Sequence, residues 1–354
     1  MIGEPAVPRS GNLLARLRRD AAPAAKRLLF RSGAYSALRT LRPSRGLAIL
    51  RYHAVCGPDG YGYAEPGICV TPGAFERHVA YLTSEYRVLP LPEAVCYLRQ
   101  GKTLPANAVA ITFDDGYADN LAAARVLGRH GATATFYITT HCLAGELPFW
   151  PSEIRQLVVR IDVPEIRLKS AGVEIVIRCA TDPERRLAIR TLARIFKANT
   201  IPVREALREE LRSALGGRDP VSPMLTWDDV REMQRMGMTI GAHTMTHPNL
   251  PNAGLRDAWL EISGSKARLE HELGAAATLF SYPNGGAEHY MTDDVAQLVR
   301  QAGFEASTTS RNGFAGRGSD LFALERVQVA EGLENLIFAL EVERFAFRPR
   351  ERSR

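Results

Sequence analysis

Two carboxylates stand side by side at Asp114 and Asp115, directly after the apolar run Ile111-Thr112-Phe113 and before the turn residues Gly116-Tyr117. Adjacent like charges repel, so a fold keeps such a pair where the surroundings give each a separate task. Two imidazoles follow in Gly241-Ala242-His243-Thr244-Met245-Thr246-His247-Pro248. One anionic oxygen and two neutral nitrogens make an open divalent-metal site. On that reading Asp115, His243 and His247 hold the ion and leave positions for water and a substrate carbonyl oxygen, while Asp114 accepts the proton as the water attacks. The rival use of two carboxylates, hydrolysis of a glycosidic bond, needs them on opposite sides of a sugar, roughly 5–9.5 Å apart, which chain neighbours hardly span. The histidine spacing of i and i+4 also suits a helical metalloprotease motif, but no Glu lies between the rings. Gly241 and Pro248 bracket the segment as a strand end entering a loop.

The elements that must position these groups are short apolar runs separated by helical patterns, which is the signature of repeated βα units. They fall at Leu47–His53, Ala108–Asp114, Thr133–Thr139, Met238–Thr244, Thr278–Pro283, Phe304–Thr309 and Leu324–Val329. Seven strands of this kind suggest a parallel barrel. Its strand ends would gather His53, Asp114, Asp115, His243, His247 and the Pro283-Asn284-Gly285 turn on one face, where barrel enzymes keep their active sites. Thr71-Pro72 and Thr226-Trp227-Asp228-Asp229 read as helix starts, and Trp227 and Trp259 as anchors of helices on the barrel.

Residues 145–222 exceed what the repeat requires. Val163–Cys179 alternates like a hairpin, and Pro183–Ala198 and Val203–Leu215 are charged helical stretches. This is an inserted α+β subdomain, able to wall or cover the site; its charge runs read as solvated helix faces.

Composition narrows the class. The chain has 354 residues, 45% hydrophobic and 24% charged, enough for one large α/β domain with an insertion. Ten Lys/Arg fall in residues 1–46 against Glu4 and Asp20, so the remainder is nearly neutral. We read three parts: a basic arm at 1–46, the barrel at 47–347, and a basic tail at 348–354. Leu13, Leu14, Leu17, Ala21, Ala25, Leu28, Leu29 and Tyr35 among those basic residues suit an amphipathic helix on an anionic membrane surface, or a solvated arm, or a helix packed on the barrel. No apolar run reaches the ~18 residues of a membrane span, and there is no secretory signal core. No nucleic-acid reader motif accompanies the charge. Five scattered cysteines without a C-x-x-C pair read as reduced thiols, which points to the cytoplasm, with contact at the inner membrane face through the arm.

The order Thr112-Phe113-Asp114-Asp115-Gly116-Tyr117, then His243-Thr244-x-x-His247-Pro248, then Tyr282-Pro283-Asn284-Gly285 resembles the NodB-homology polysaccharide deacetylases across roughly Leu47 to Val329, apart from the insertion. The resemblance implies a distorted (β/α)7 barrel and metal-dependent removal of N-acetyl groups from an amino-sugar glycan or lipid-linked saccharide. It implies Asp114 as general base and Asp115, His243 and His247 around zinc, or Co, Ni or Mn. It further implies that the Asn284 N–H holds the acetyl oxygen as it becomes an oxyanion.

Two motifs depart from the family pattern. Ser281 stands where an arginine usually steadies the catalytic aspartate, which leaves Arg51 or Arg326 to supply that charge from another strand. Leu324-Glu325-Arg326 replaces the Leu-x-His whose imidazole protonates the leaving amine, and arginine cannot donate a proton at neutral pH. His53, in a Tyr-His similar to that of exopolysaccharide-modifying members, is the candidate acid or a support behind it. Tyr282, Pro283, Arg326 and Trp150 are expected to touch the sugar. Deformylation, O-deacetylation, and carbohydrate binding without catalysis are the alternatives that share these residues.

Overall fold

The computed structural model describes residues 23–161, 163–170, 173–216, 220–285 and 289–345. In chain order it contains α1 (Pro23–Arg31), α2 (Ala34–Leu41), β1 (Leu47–Tyr52), α3 (Pro72–Glu85), β2 (Arg87–Val88), α4 (Leu91–Arg99), β3 (Ala108–Phe113), α5 (Asn120–Arg129), β4 (Thr135–Ile138) and α6 (Trp150–Val159). There follow β5 (Glu165–Ser170), β6 (Val173–Arg178), α7 (Asp182–Ala198), α8 (Ile201–Ala214), α9 (Trp227–Arg235), β7 (Thr239–Ala242), α10 (Leu250–Ala253) and α11 (Leu255–Leu273). The chain closes with β8 (Leu279–Ser281), α12 (Asp293–Gln301), β9 (Ala306–Asn312), β10 (Leu324–Gln328) and α13 (Leu333–Glu341).

All seven strands read from the sequence are present. They pair in the order β1-β10-β9-β8-β7-β4-β3, all parallel, and β3 pairs back to β1 to close a (β/α)7 barrel. The two-residue β2, which is too short to carry a periodic signal, adds to β3. The barrel is distorted at β8, which meets β7 through one residue pair, and between β9 and β10, where the register shifts between Leu324 and Arg326. Close approach imposes glycine at 241: a Cβ there would stand 2.6 Å from the Tyr137 ring and 3.0 Å from the Leu279 carbonyl oxygen.

Helix starts follow local chemistry. Thr71 and Thr226 each cap their helix, and Asp229 completes a reciprocal capping box with Thr226. Trp227 is buried, whereas Trp259, expected as an anchor, lies exposed on α11, because the buried stripe of that helix runs through Ala258, Glu261, Ile262, Ser265 and Leu269.

Between β4 and β7 the chain leaves the barrel. There β5 and β6 form the antiparallel hairpin, and α7 and α8 pack with it and α6 around a separate core that includes Trp150, Ile154, Leu168, Leu192, Phe196 and Leu207. The return strand pairs with the acidic turn, since Leu225 N–H donates to Gly116 O and Ala118 N–H to Pro223 O.

At the N-terminus, α1 and α2 pack on the barrel. Tyr35 is buried beside Phe338, Lys26 lies over that same ring, and Arg39 is buried in ion pairs with Glu85 and Glu341. Of the amphipathic stretch expected at 1–46, residues 1–22 lie outside the described residues, as does the tail at 348–354. Among the described residues no helix is long and apolar enough to cross a membrane.

Candidate active site

The strand ends converge as a parallel barrel requires. His53 follows β1, Asp114 and Asp115 follow β3, His243 follows β7, and Asn284 lies just past β8; all line a single cleft of about 540 Å³. Among the described residues, four of the six non-glycine residues with positive φ belong to this rim: Asp115 (80°), Thr244 (69°), His247 (58°) and Asn284 (71°). L-residues adopt that region at a cost of order 1–3 kcal/mol each, tolerated where the surroundings over-determine the conformation.

Those surroundings are visible at the histidine loop. Glu261 on α11, itself buried, accepts the N–H groups of Met245 and Thr246 at 2.8 Å each and the Thr246 hydroxyl at 2.5 Å. Arg204 of the insertion donates to the Thr246 hydroxyl at 2.9 Å, and the Trp150 indole N–H donates to His247 O at 2.9 Å. Neither Glu261 nor Arg204 was singled out from the sequence, since each sits inside an amphipathic helix without a local motif.

Asp115 Oδ1 lies 3.4 Å from Nε2 of both His243 and His247, and donor atoms of the three residues all fall within 4.8 Å of one another. His243 donates its Nδ1–H to Ser281 O at 2.7 Å, so in the neutral ring Nε2 presents a lone pair to the carboxylate. Lone pairs facing each other at this range call for a cation or a proton between them. Burial, opposed by the hydrogen bond and charge of Asp115, lowers the His247 pKa and disfavours a charged ring there. For Asp115, burial acts upward, but a proton shared with His243 or His247, standing where a cation would, outweighs it and holds the carboxyl well below its ordinary range. The donor set, its burial and its convergence fit a divalent cation.

Asp114 is held from below. Arg326 on β10, fully buried, donates from Nη1 to Oδ1 at 2.7 Å and from Nη2 to Oδ2 at 2.6 Å, and its Nε–H to Thr309 O at 2.7 Å. Burial alone would raise the Asp114 carboxyl, yet the charge and hydrogen bonds of Arg326 bring it down to about 2. His53 Nε2 stands 3.8 Å from Asp114 Oδ2. Burial, only partly opposed by the charges of Asp115 and Asp114, lowers this imidazole to about 4, so it is neutral at pH 7.

Asn284 turns at the cleft edge, with its side-chain amide donating to Pro248 O at 3.0 Å and its carbonyl accepting the Ser310 hydroxyl at 2.6 Å. Its backbone N–H has no partner among the described residues.

Three residues expected against the sugar do not reach the cleft. Tyr282 is fully buried and donates its hydroxyl to Phe322 O at 3.0 Å. Pro283 is buried outside the cleft lining. Arg326 points into the barrel, where only an anion satisfies a fully desolvated guanidinium, and it takes the charge role left by Ser281. Trp150 does line the cleft, but its indole is also committed to His247 and Phe196. His141, which lies after β4, is not among the cleft residues.

Comparison with known proteins adds the following. The family model described as polysaccharide deacetylase matches residues 101–163 and 195–307. YxkH of Bacillus subtilis (strain 168), whose curated name places it provisionally among polysaccharide deacetylases, is 22% identical over 308 residues, covering 86% of this chain and 79% of that protein. Among solved structures, the Streptococcus pyogenes deacetylase PplD in complex with acetate superposes with a TM-score of 0.55 at 20% identity, covering 84% of this chain and 99% of that one. IcaB from Ammonifex degensii gives 0.55 at 19%, covering 84% and 97%. Both share the fold.

Proposed function

We propose, from the premise that this chain belongs to the polysaccharide deacetylase family, that it is a metal-dependent hydrolase removing N-acetyl groups from an amino sugar in a polysaccharide, oligosaccharide or lipid-linked saccharide. The observation that carries the reading is the buried Asp115, His243 and His247 cluster set beside an aspartate clamped by Arg326 in one cleft.

Asp115, His243 and His247 would hold the ion, zinc first among Zn, Co, Ni and Mn for a set of two nitrogens and one oxygen. When bound, a divalent cation supplies Lewis acidity, lowering the pKa of a water and polarising an acyl oxygen. Asp114, kept ionised by Arg326, takes the proton of the attacking water. His53 then has a task that suits its protonation state. Its Nε2 stands 3.8 Å from Asp114 Oδ2 and burial keeps the ring neutral, so it can accept the proton collected by the carboxylate and pass it to the departing amine nitrogen. The Asn284 N–H is the donor aimed at the developing oxyanion, a role in which its side chain need not participate. The pairing of Arg326 with Asp114 answers one of the two grounds for a merely sugar-binding homologue, the missing motif arginine, and leaves the other, the missing Leu-x-His histidine, to the turnover assay.

Purified protein supplied with zinc is expected to release acetate from N-acetylglucosamine oligomers, to lose that activity after chelation, and to regain it on adding a divalent ion. Faster release of acetate from O-acetylated sugar, or of formate from an N-formylated one, would reassign the reaction, and indifference to chelation would sink the metal reading.

The proposal extends to the cytoplasmic side of a membrane, supported by the basic residues at 1–46 and the exposed Leu28, Leu29 and Leu41. Co-sedimentation with anionic vesicles at low ionic strength, lost in 0.5 M salt, is the expected result. Equal recovery with neutral vesicles would discard it.

A further inference from the structure

We propose that the insertion builds an anion subsite into the cleft, so that the substrate carries a carboxylate or phosphate group near the reacting acyl group; this rests on the deacetylase reading above. The sequence suggested that the charged residues of α7 are a solvated face. Arg190 and Arg194 are exposed, and together with Lys197, at i, i+4 and i+7, they line the cleft, with Ile189 and Ala193 beside them.

Charge accounting separates these arginines from their neighbours. Arg185 pairs with Asp182, Arg204 with Glu205, and Arg208 and Arg212 with Glu153. Arg190 and Arg194 have no acidic partner among the described residues, although like charges at i and i+4 disfavour the helix. Across the cleft Arg155 is already committed to Glu65 and Tyr61 O. From the barrel floor comes Arg51, more than nine-tenths buried, which donates to Gln328 at 3.1 Å while its Nε has no partner among the described residues. The acids of the cleft are spoken for: Glu65 by Arg155, Asp114 by Arg326, and Asp115 by the two histidines.

A cleft whose acids are matched and which keeps guanidinium groups without acidic partners on its α7 wall and at its barrel floor selects an anion. Planar guanidinium groups match the oxygen pairs of a carboxylate or phosphate better than they match hydroxyls of a neutral sugar. Two sources share this chemistry, a uronic-acid unit within the glycan and the phosphate that links a sugar to a lipid carrier.

Calorimetry on the 354-residue chain, kept free of metal to prevent turnover, tests the subsite with three probes of similar size. They are an oligomer alternating glucuronate with N-acetylglucosamine, a neutral N-acetylglucosamine oligomer, and N-acetylglucosamine joined through pyrophosphate to a short prenyl chain. At least one anionic probe is expected to bind tenfold or more tightly than the neutral one, and the preferred probe names the source. In Arg190→Gln/Arg194→Gln the preference should fall toward one, and in Arg190→Lys/Arg194→Lys it should largely return. Equal binding of all three probes, no binding of any, or a preference that survives the Gln variant overturns the subsite. Acetate release by the zinc-loaded protein is scored separately: selective binding of an anionic probe with no release from any N-acetylated sugar would leave the subsite standing and remove the deacetylase reading.

Discussion

Replacing Arg326 with Met is expected to destabilise the protein by about 3–5 kcal/mol, because it leaves the Asp114 carboxylate buried without its counter-ion. The pH dependence should identify the cause. In the wild-type chain the folded Asp114 pKa of about 2 lies below the ordinary carboxylate value, so its contribution is complete above that ordinary value and is lost as the pH falls toward 2. Without Arg326 the unopposed effect of burial raises the folded pKa, which reverses the sign: the variant loses stability as the pH rises through the carboxylate range. Urea denaturation of the metal-free proteins should therefore show a gap that is wide at pH 7 and narrows toward pH 4. A constant gap would mean that Arg326 contributes packing alone.

Asp114→Asn should lower kcat by about 10²–10⁴-fold, the usual worth of a positioned general base, while zinc stoichiometry is retained. The asparagine amide also sets an N–H donor against the Arg326 fork, so a loss of stability accompanies the loss of rate. Combining Asp114→Asn with Arg326→Met separates the two effects. The double variant removes both charges, so its stability should recover well beyond additivity, by the several kcal/mol that a buried ion pair couples, and its turnover should not recover. If turnover returns with stability, Asp114 acts only as a structural partner of Arg326, and the proton must be taken by another group such as His53.

Much of this architecture was readable along the chain. The barrel strands β1 and β3 are short, nearly continuous apolar runs because both of their faces are covered, and the helix starts at Thr71 and Thr226 are written within four residues of sequence. The two-residue β2 and the exposed face of Trp259 were not readable, the first for lack of length and the second because an aromatic on an amphipathic helix can fall at either edge of the apolar stripe. The scattered cysteines likewise gave no sign that Cys56 and Cys69 would lie with their sulfurs 3.3 Å apart.

Residue type and local spacing are chemical properties of the chain itself, so the acidic pair and the two imidazoles declared a candidate cation site, and the alternation of strand and helix declared the barrel to carry it. Which arginine neutralises Asp114 depends on side-chain direction at a shifted register between β9 and β10, more than two hundred residues away, and no local pattern encodes that. The same holds for Glu261 under the histidine loop and for Arg190 and Arg194 at the cleft wall. A charged residue on a helix looks alike in sequence whether it meets water, a backbone amide or an empty cleft, and only packing in three dimensions assigns it one of these neighbours.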